Sequence, residues 1–239
     1  ATSGAASVEE RILKSNPILE TFGNARTVRN ENSSRFGKFI ALQFDDDGQL
    51  VGSRIQTYLL EKVRIVSQSD GERNYHAFYQ LLAGTPAELI DEWGLGKPKD
   101  HHYTNQSSTV GLTGHSDAEL REETEEALAT MGFSQEQRLG VWRTLAALLH
   151  LGNVAFQGDE EAEVTSPTAN SAELAASLLG VTEPDLAKVL THKRLEVGGK
   201  TMFKRLTPAD ATTARDALCK QVYGRLFEWL VARVNDSIR

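Results

Sequence analysis

Residues Asn30 to Lys38 read NENSSRFGK, and the reading of the whole chain turns on this nonapeptide. Asn30 offers an amide. Ser33 and Ser34 offer hydroxyls able to hold a phosphate oxygen, a water or Mg²⁺, and Arg35 offers a fixed fork of donors for phosphate or carboxylate. Together these groups suit a nucleoside triphosphate, and each can respond to its terminal phosphate. A bare Ser-Ser-Arg also fits an ordinary polar turn, because Asn and Ser favour loops by bonding to their own backbone. The flanking sequence decides between the two.

Composition sets the outer bounds. At 239 residues, with 40% hydrophobic and 25% charged residues, the chain is expected to fold around a sizeable core. A formal net charge of -7 argues against nucleic acid as its main partner, since such proteins usually carry a basic surface. The lone Cys219 can form no internal disulfide and reads as a small buried hydrophobe in a reducing, cytoplasmic setting. The best apolar run, LAALLHL at 145–151, falls far short of the ~20 residues that span a bilayer, so no membrane span is expected.

Along the chain, ATSGAAS reads as a loop or cut end. Ser7 with Glu10 forms a capping box, and Asn16-Pro17 with Glu20 restarts a helix that reaches Phe22 and closes at Gly23-Asn24. Stretches 36–44 and 49–60, separated by DDDG, predict an antiparallel hairpin. Its strands are apolar on both faces, which suggests a place inside a larger sheet. A helix over 72–82 carries Tyr75, Phe78, Tyr79 and Leu82 on one stripe, read as core packing. The stretch 84–116 lacks a period and reads as irregular surface, with His101, His102 and His115 solvated and at no metal-ligand spacing.

From Asp117 onward helices dominate. One carries Leu120, Thr124, Ala127, Leu128 and Met131. A second, boxed by Ser134 and Gln137, carries Leu139, Trp142, Leu145, Ala146 and Leu149 and stops at Gly152. An acidic linker over 158–171 precedes short helices at 171–179 and 183–192, and 194–206 forms a hairpin around Gly198-Gly199. Thr207-Pro208 then opens a helix to about Ile238, with Ala211, Ala214, Leu218, Val222, Leu226, Trp229 and Val234 inward. The predicted fold class is mainly α with a β-hairpin contributed to a larger central sheet; α+β is the alternative.

Set between NPILETFGNARTVR upstream and FIALQF downstream, NENSSRFGK makes the chain resemble the motor domain of myosins around their first nucleotide switch, switch I. Kinesins also carry Ser-Ser-Arg there, followed by Ser-His, whereas Phe36-Gly37-Lys38 points to the actin-based motors. Three further blocks agree in order: 58–84, 131–156 and 215–235. The family's phosphate-binding loop, G-x-x-x-x-G-K-[ST], and its second switch do not occur in these residues; Gly37-Lys38 and Gly199-Lys200-Thr201 lack the first glycine. The resemblance therefore implies one partial domain over 1–239, the upper 50-kDa subdomain of a motor belonging to the α/β P-loop NTPases. In it, 36–60 joins the central sheet and 194–206 faces actin.

The resemblance implies an ATP- and Mg²⁺-using, actin-activated ATPase as the intact parent, with this segment alone inactive. Asn30, Asn32, Ser33 and Ser34 would bind nucleotide, Ser34 would also ligate Mg²⁺, and Arg35 would pair with a glutamate of the second switch. Ser33, Ser34 and Arg35 form its expected catalytic set. The cationic residues Arg194, Lys200, Lys204 and Arg205 lie where the family has an actin-contacting hairpin, and actin is acidic. Lys200 stands where the family usually has Thr, Ser, Asp or Glu, which puts regulation there in doubt. Implied partners are filamentous actin, the rest of the heavy chain, and light chains or calmodulin, in the cytoplasmic actin cytoskeleton. A non-catalytic actin-binding or scaffolding relative is the alternative.

Overall fold

Helix α1, Val8–Gly23, begins where Ser7 Oγ accepts the Glu10 amide at 3.2 Å. The computed structural model describes residues 7–238, so the expected loop at the chain start lies, for 1–6, outside the described residues. The helix runs unbroken through Pro17, and the expected restart at Asn16-Pro17 does not occur. Pro17 removes one rung, to Leu13, on a side of the helix where Leu13 is 68% exposed and water can serve the carbonyl. Asn16 does not cap; its Oδ1 accepts from Lys38 Nζ at 3.1 Å.

Among the described residues there are four two-stranded antiparallel sheets. Strands β1 (Asn24–Ala25) and β2 (Ser33–Ser34) pair Asn24 with Ser34 and Ala25 with Ser33. Strands β3 (Gly37–Phe44) and β4 (Leu50–Tyr58) form the expected hairpin, with Asp45 Oδ1 taking the amides of Asp47 and Gln49 in its turn. One face packs through Ile55 on the core. Asn235 clamps that residue, accepting its N–H at 2.7 Å and donating to its carbonyl at 2.8 Å. Phe39, Leu42, Phe44, Val51 and Tyr58 are about half exposed or more.

Helix α2, His76–Gly84, starts four residues later than expected. Asn74, just before it, donates to the carbonyls of Ile65 and Tyr103. Residues 76–81 of α2 are all buried, so the helix has no outward face there and the aromatic stripe is only part of its contact surface. The irregular-surface reading of 84–116 is corrected. Helix α3, Ala87–Glu92, is followed by a segment that buries Trp93, Leu95, Tyr103 and Thr104. His101 is 2% exposed rather than solvated, with its ring edge-on to His150 at 5.7 Å, while His102 and His115 are exposed. These anchors are scattered singly, so they leave no period for sequence analysis to detect.

Helices α4 (Asp117–Thr130) and α5 (Gln135–Asn153) follow, the second with the expected Ser134–Gln137 box at 3.2 and 2.9 Å. Leu139 is 42% exposed and lies off the buried face of α5. The acidic linker is more than a solvated connection. It holds strand β6 (Glu163–Val164), which pairs with strand β5 (Phe156–Gln157) just before it, and buries Ala162, whose amide bonds the Leu206 carbonyl.

Helix α6, Ala169–Leu179, ends at Gly180 with φ 71°, and α7, Glu183–Thr191, is capped by Thr182. Strands β7 (His192–Val197) and β8 (Lys200–Arg205) turn through Gly198 and Gly199, both at positive φ, as a primed turn requires.

Helix α8, Pro208–Ser237, is 30 residues long, about 45 Å at 1.5 Å per residue. Its buried line is Ala211, Arg215, Cys219, Tyr223, Phe227, Leu230, Val231 and Val234. Ala214, Leu218, Val222, Leu226 and Trp229, expected inward, flank that line half buried. The core gathers α5 against α2, α6 and α8, with α1 and α4 closing the other side.

Candidate functional site

The polar nonapeptide hangs between two fixed points. Behind it, β1 is tied to the body by the Ala25–Tyr75 bridge and by the Arg73 amide on the Arg26 carbonyl at 3.0 Å. In front, the Arg35 amide bonds the Gly23 carbonyl, and the Glu61 amide bonds the Arg35 carbonyl. Between them Thr27 and Asn30 close a tight turn through reciprocal backbone bonds. A short loop is thus carried on two rigid elements, which positions side chains better than a free loop does.

Asn30 is exposed; its Oδ1 accepts the Asn32 backbone N–H at 2.7 Å, and its side-chain Nδ2 has no partner among the described residues. Ser33 Oγ receives Arg35 Nη1 at 3.2 Å. Ser34 Oγ donates to the Phe36 carbonyl at 2.9 Å, so its exposed oxygen keeps its lone pairs as acceptors, a suitable state for ligating a hard cation. Arg35 Nε meets Glu61 Oε2 at 2.5 Å, and Arg64 Nε meets the same oxygen at 3.0 Å. Burial pushes the Glu61 carboxyl up, but bonds from Arg35 and Arg64 outweigh it and hold the group below its usual range. Donors, acceptor lone pairs and a guanidinium thus stand along one short loop, a donor set whose chemistry suits a magnesium-bound polyphosphate.

Asn32 differs from its neighbours. Its carboxamide is held by Asn24 Nδ2 at 2.9 Å, Glu20 Oε2 at 2.8 Å and His76 Nε2 at 3.1 Å. His76 is buried, and burial first, then the nearby Arg73 charge, drop its pKa to about 3. A recess of about 320 Å³ opens beside this cluster between α1, the loop, α2 and α4. Gln80, Thr21 and Thr124, bonded to one another, form its polar floor.

The second group of predicted residues is split by the register of β7 and β8. Lys193 opposes Lys204 and Val197 opposes Lys200, whereas His192 opposes Arg205 and Arg194 opposes Phe203. Side chains alternate along each strand, so Lys193, Lys200 and Lys204 share one face and Arg194 and Arg205 the other. Arg194 pairs with Glu196 at 2.8 Å and Arg205 with Glu161 at 3.0 Å, which leaves the lysine face the more cationic. Phe203 and Met202 are more than half exposed, and Lys188 sits over the Phe203 ring.

Sequence reading did not single out Glu61, Glu20, Asn24 or His76 for this site. Glu61 follows an apolar strand and His76 sits in a buried helix; neither position carries a local signal, and both meet the loop only through the tertiary fold. Among the described residues, no helix is long and apolar enough to cross a membrane.

Residues 1–239 match the family described as Myosin head (motor domain). The chain is similar to Myosin-15 of Arabidopsis thaliana, with 46% identity over 243 residues. It is also similar to Myosin-14 and Myosin-6 of the same plant, each 44% identical over 242 residues. All of this chain is covered in each comparison, but it spans only 16% of the length of these relatives.

Proposed function

This chain belongs to the myosin head (motor domain) family, and on that premise we propose that it supplies the γ-phosphate-sensing first switch and part of the actin-binding surface of an ATP-driven motor. Residues 1–239 make up one partial domain, the upper 50-kDa subdomain. The hairpin of β3 and β4 extends a central sheet of P-loop NTPase type formed with the rest of the heavy chain. The half-exposed Phe39 on one side of the hairpin and Leu42 on the other, with Phe44 and Val51 near its turn, support that placement, because exposed apolar surface on both sides needs a cover. Filamentous actin is the partner of the β7–β8 hairpin, through Lys200 and Lys204 on one face and Arg194 and Arg205 on the other. Light chains or calmodulin bind elsewhere on the heavy chain, and the motor works in the cytoplasmic actin cytoskeleton.

Bound ATP with Mg²⁺ supplies the phosphoryl group to be transferred and the metal charge that neutralises it. The chain's own residues position and enclose. Asn30 and Ser33 hold phosphate oxygens and orient the attacking water, Asn32 sits within the same nucleotide-binding stretch, and Ser34 turns its free lone pairs to the metal. Arg35, anchored through Nε on Glu61, presents its remaining nitrogen to a glutamate of the second switch and so closes the site to water. When the phosphate leaves, the loop loses its shared anchor, and the elements fixed at both its ends move with it. The segment alone hydrolyses no ATP, because residues 1–239 hold no phosphate-binding glycine loop.

The observation that carries this reading is the short loop that bears exposed Asn30 and Ser34 beside half-buried Ser33, held at one end by the Arg35–Glu61 pair. Its test is actin-activated ATP turnover of the complete head. Ser34→Ala and Arg35→Ala are each expected to lower turnover about 100-fold or more with the fold intact. Unchanged turnover rejects the roles assigned here, and a wild-type head that binds actin without turnover favours a scaffolding relative instead.

A further inference from the structure

Asn32 lies within the nucleotide-sensing stretch, yet its carboxamide is gripped from behind. The three partners come from three places: Glu20 on α1, Asn24 on β1 and His76 at the start of α2. Their chemistry fixes every proton. Asn32 Nδ2 donates to a carboxylate, so Oδ1 is the acceptor, and it already receives Asn24 Nδ2. His76 must therefore donate, which places its single proton on Nε2 and leaves Nδ1 bare. Nδ1 is buried and has no partner, so a second proton would find no acceptor.

We propose that His76 and Asn32 form a latch behind the loop, two positioning residues that hold the Asn30–Arg35 stretch at the spacing the phosphate chemistry needs; the inference rests on reading that stretch as the first switch. Asn32 is bonded in the chain to Ser33, so a shift of its carboxamide moves the neighbouring hydroxyl. The Glu20 arm is exposed to solvent and contributes little, whereas the His76 arm ends on a buried ring. A neutral imidazole suits this post: it is rigid, offers one donor, and keeps its charge state through the physiological range.

The charged and titratable groups around His76 are few. Glu20 comes from α1, Glu31 from the loop, His115 from the segment before α4 and Glu123 from α4, all lining the same recess. Arg73 is the nearby cation, and its guanidinium is bound at both ends to Asp117. None of these bonds Nδ1.

The test uses the complete head. His76→Phe keeps the buried ring and removes the donor, and is expected to lower kcat about 10- to 100-fold with the thermal midpoint near that of wild type; His76→Gln, which restores an N–H donor, is expected to recover most of the loss. Asn32→Asp sets a carboxylate against the imidazole and against Glu20, so the cluster takes up a proton more readily as pH falls. The kcat of that variant should acquire a pH dependence between about pH 6 and 8, absent from wild type and abolished in Asn32→Asp/His76→Phe. A core residue with only a packing role would produce neither the glutamine recovery nor the new pH limb. Wild-type turnover in His76→Phe, or an Asn32→Asp profile as flat as wild type, overturns the latch. If Ser34→Ala abolishes turnover in that case, the switch reading survives and only the latch fails; if Ser34→Ala is also silent, the switch reading itself has failed.

Discussion

Arg35 and Arg64 share one carboxylate oxygen of Glu61, at 2.5 and 3.0 Å, so the guanidinium at the end of the polar loop is anchored through an arginine that is 5% exposed. Arg64 also reaches Glu72 at 2.8 Å and the Arg73 carbonyl at 3.1 Å, which extends the chain of bonds into the body of the protein. Glu61→Gln keeps the shape and deletes the charge that both arginines use. Because the Glu61 side chain is 37% exposed, the expected loss is about 1–2 kcal/mol rather than the full cost of a broken buried pair. Stability from this depressed carboxyl is fully present above its unfolded pKa and lost as pH falls below about 4.5. A Glu61→Gln head should therefore lose part of the wild type's destabilisation between about pH 5 and 3, read from urea midpoints. Identical pH profiles in the two proteins would remove the anchoring role.

The β7–β8 register makes the two pairs of predicted cations unequal. Arg194 and Arg205 are already neutralised by Glu196 and Glu161, whereas Lys200 and Lys204 share a face with Lys193 and have no acidic partner among the described residues. Lys200→Glu/Lys204→Glu is expected to weaken actin binding about 10-fold or more at low salt, and to flatten its salt dependence. Arg194→Glu/Arg205→Glu should cost less. Co-sedimentation over a salt series checks this, and an arginine pair that matters more would reverse the assigned face.

How far the fold could be read from sequence depended on where each signal resides. The caps at Ser7, Ser134 and Thr207 each rest on a bond three residues away, and all three formed, though at Ser7 without the return bond from Glu10 that the expected box includes. The turn at Gly198-Gly199 was equally local. The buried face of α8 was misread because it is lined by Arg215 and Tyr223, which hydropathy places outside. Each is buried by bonding a distant carbonyl, Val154 at 2.7 Å and Phe22 at 2.9 Å. The candidate site divides the same way: the loop residues stand together in sequence, but Glu61 and His76 reach it from 26 and 44 positions away.

A buried glycine at the C-terminal end of α5 tests how tightly that core is packed. A Cβ on Gly152 would lie 2.7–2.9 Å from the Tyr103 ring. That ring is fully buried, with its hydroxyl donating to Asp216 at 2.7 Å, so it retreats only by breaking that bond. Gly152→Ala is expected to cost about 1–3 kcal/mol, seen as a fall of several degrees in Tm. Tyr103→Leu in the same background should return part of the loss, a coupling that an additive pair would not show.

His101 and His150 give the chain an acid limit. Burial chiefly, then the neighbouring His150 charge, push His101 down to about 4 against a weaker pull from Asp100, and burial lowers His150 as well. In the unfolded chain both take up protons near pH 6.5, so between about pH 6.5 and 4 the unfolded state binds more protons and stability rises with pH. Read downward, stability is present above that window and drains as pH falls through it, by up to about 1.4 kcal/mol per pH unit for His101, with His150 acting in the same direction. His101→Gln has no proton to gain, and glutamine's carbonyl can still accept the Gly96 amide that His101 Nε2 now takes at 3.2 Å. Urea midpoints measured from pH 7 to about 4 should fall less steeply in the variant by up to that amount per unit. A slope unchanged from wild type would mean that His101 is already protonated in the folded protein, and that its buried edge-on contact with His150 tolerates a charge.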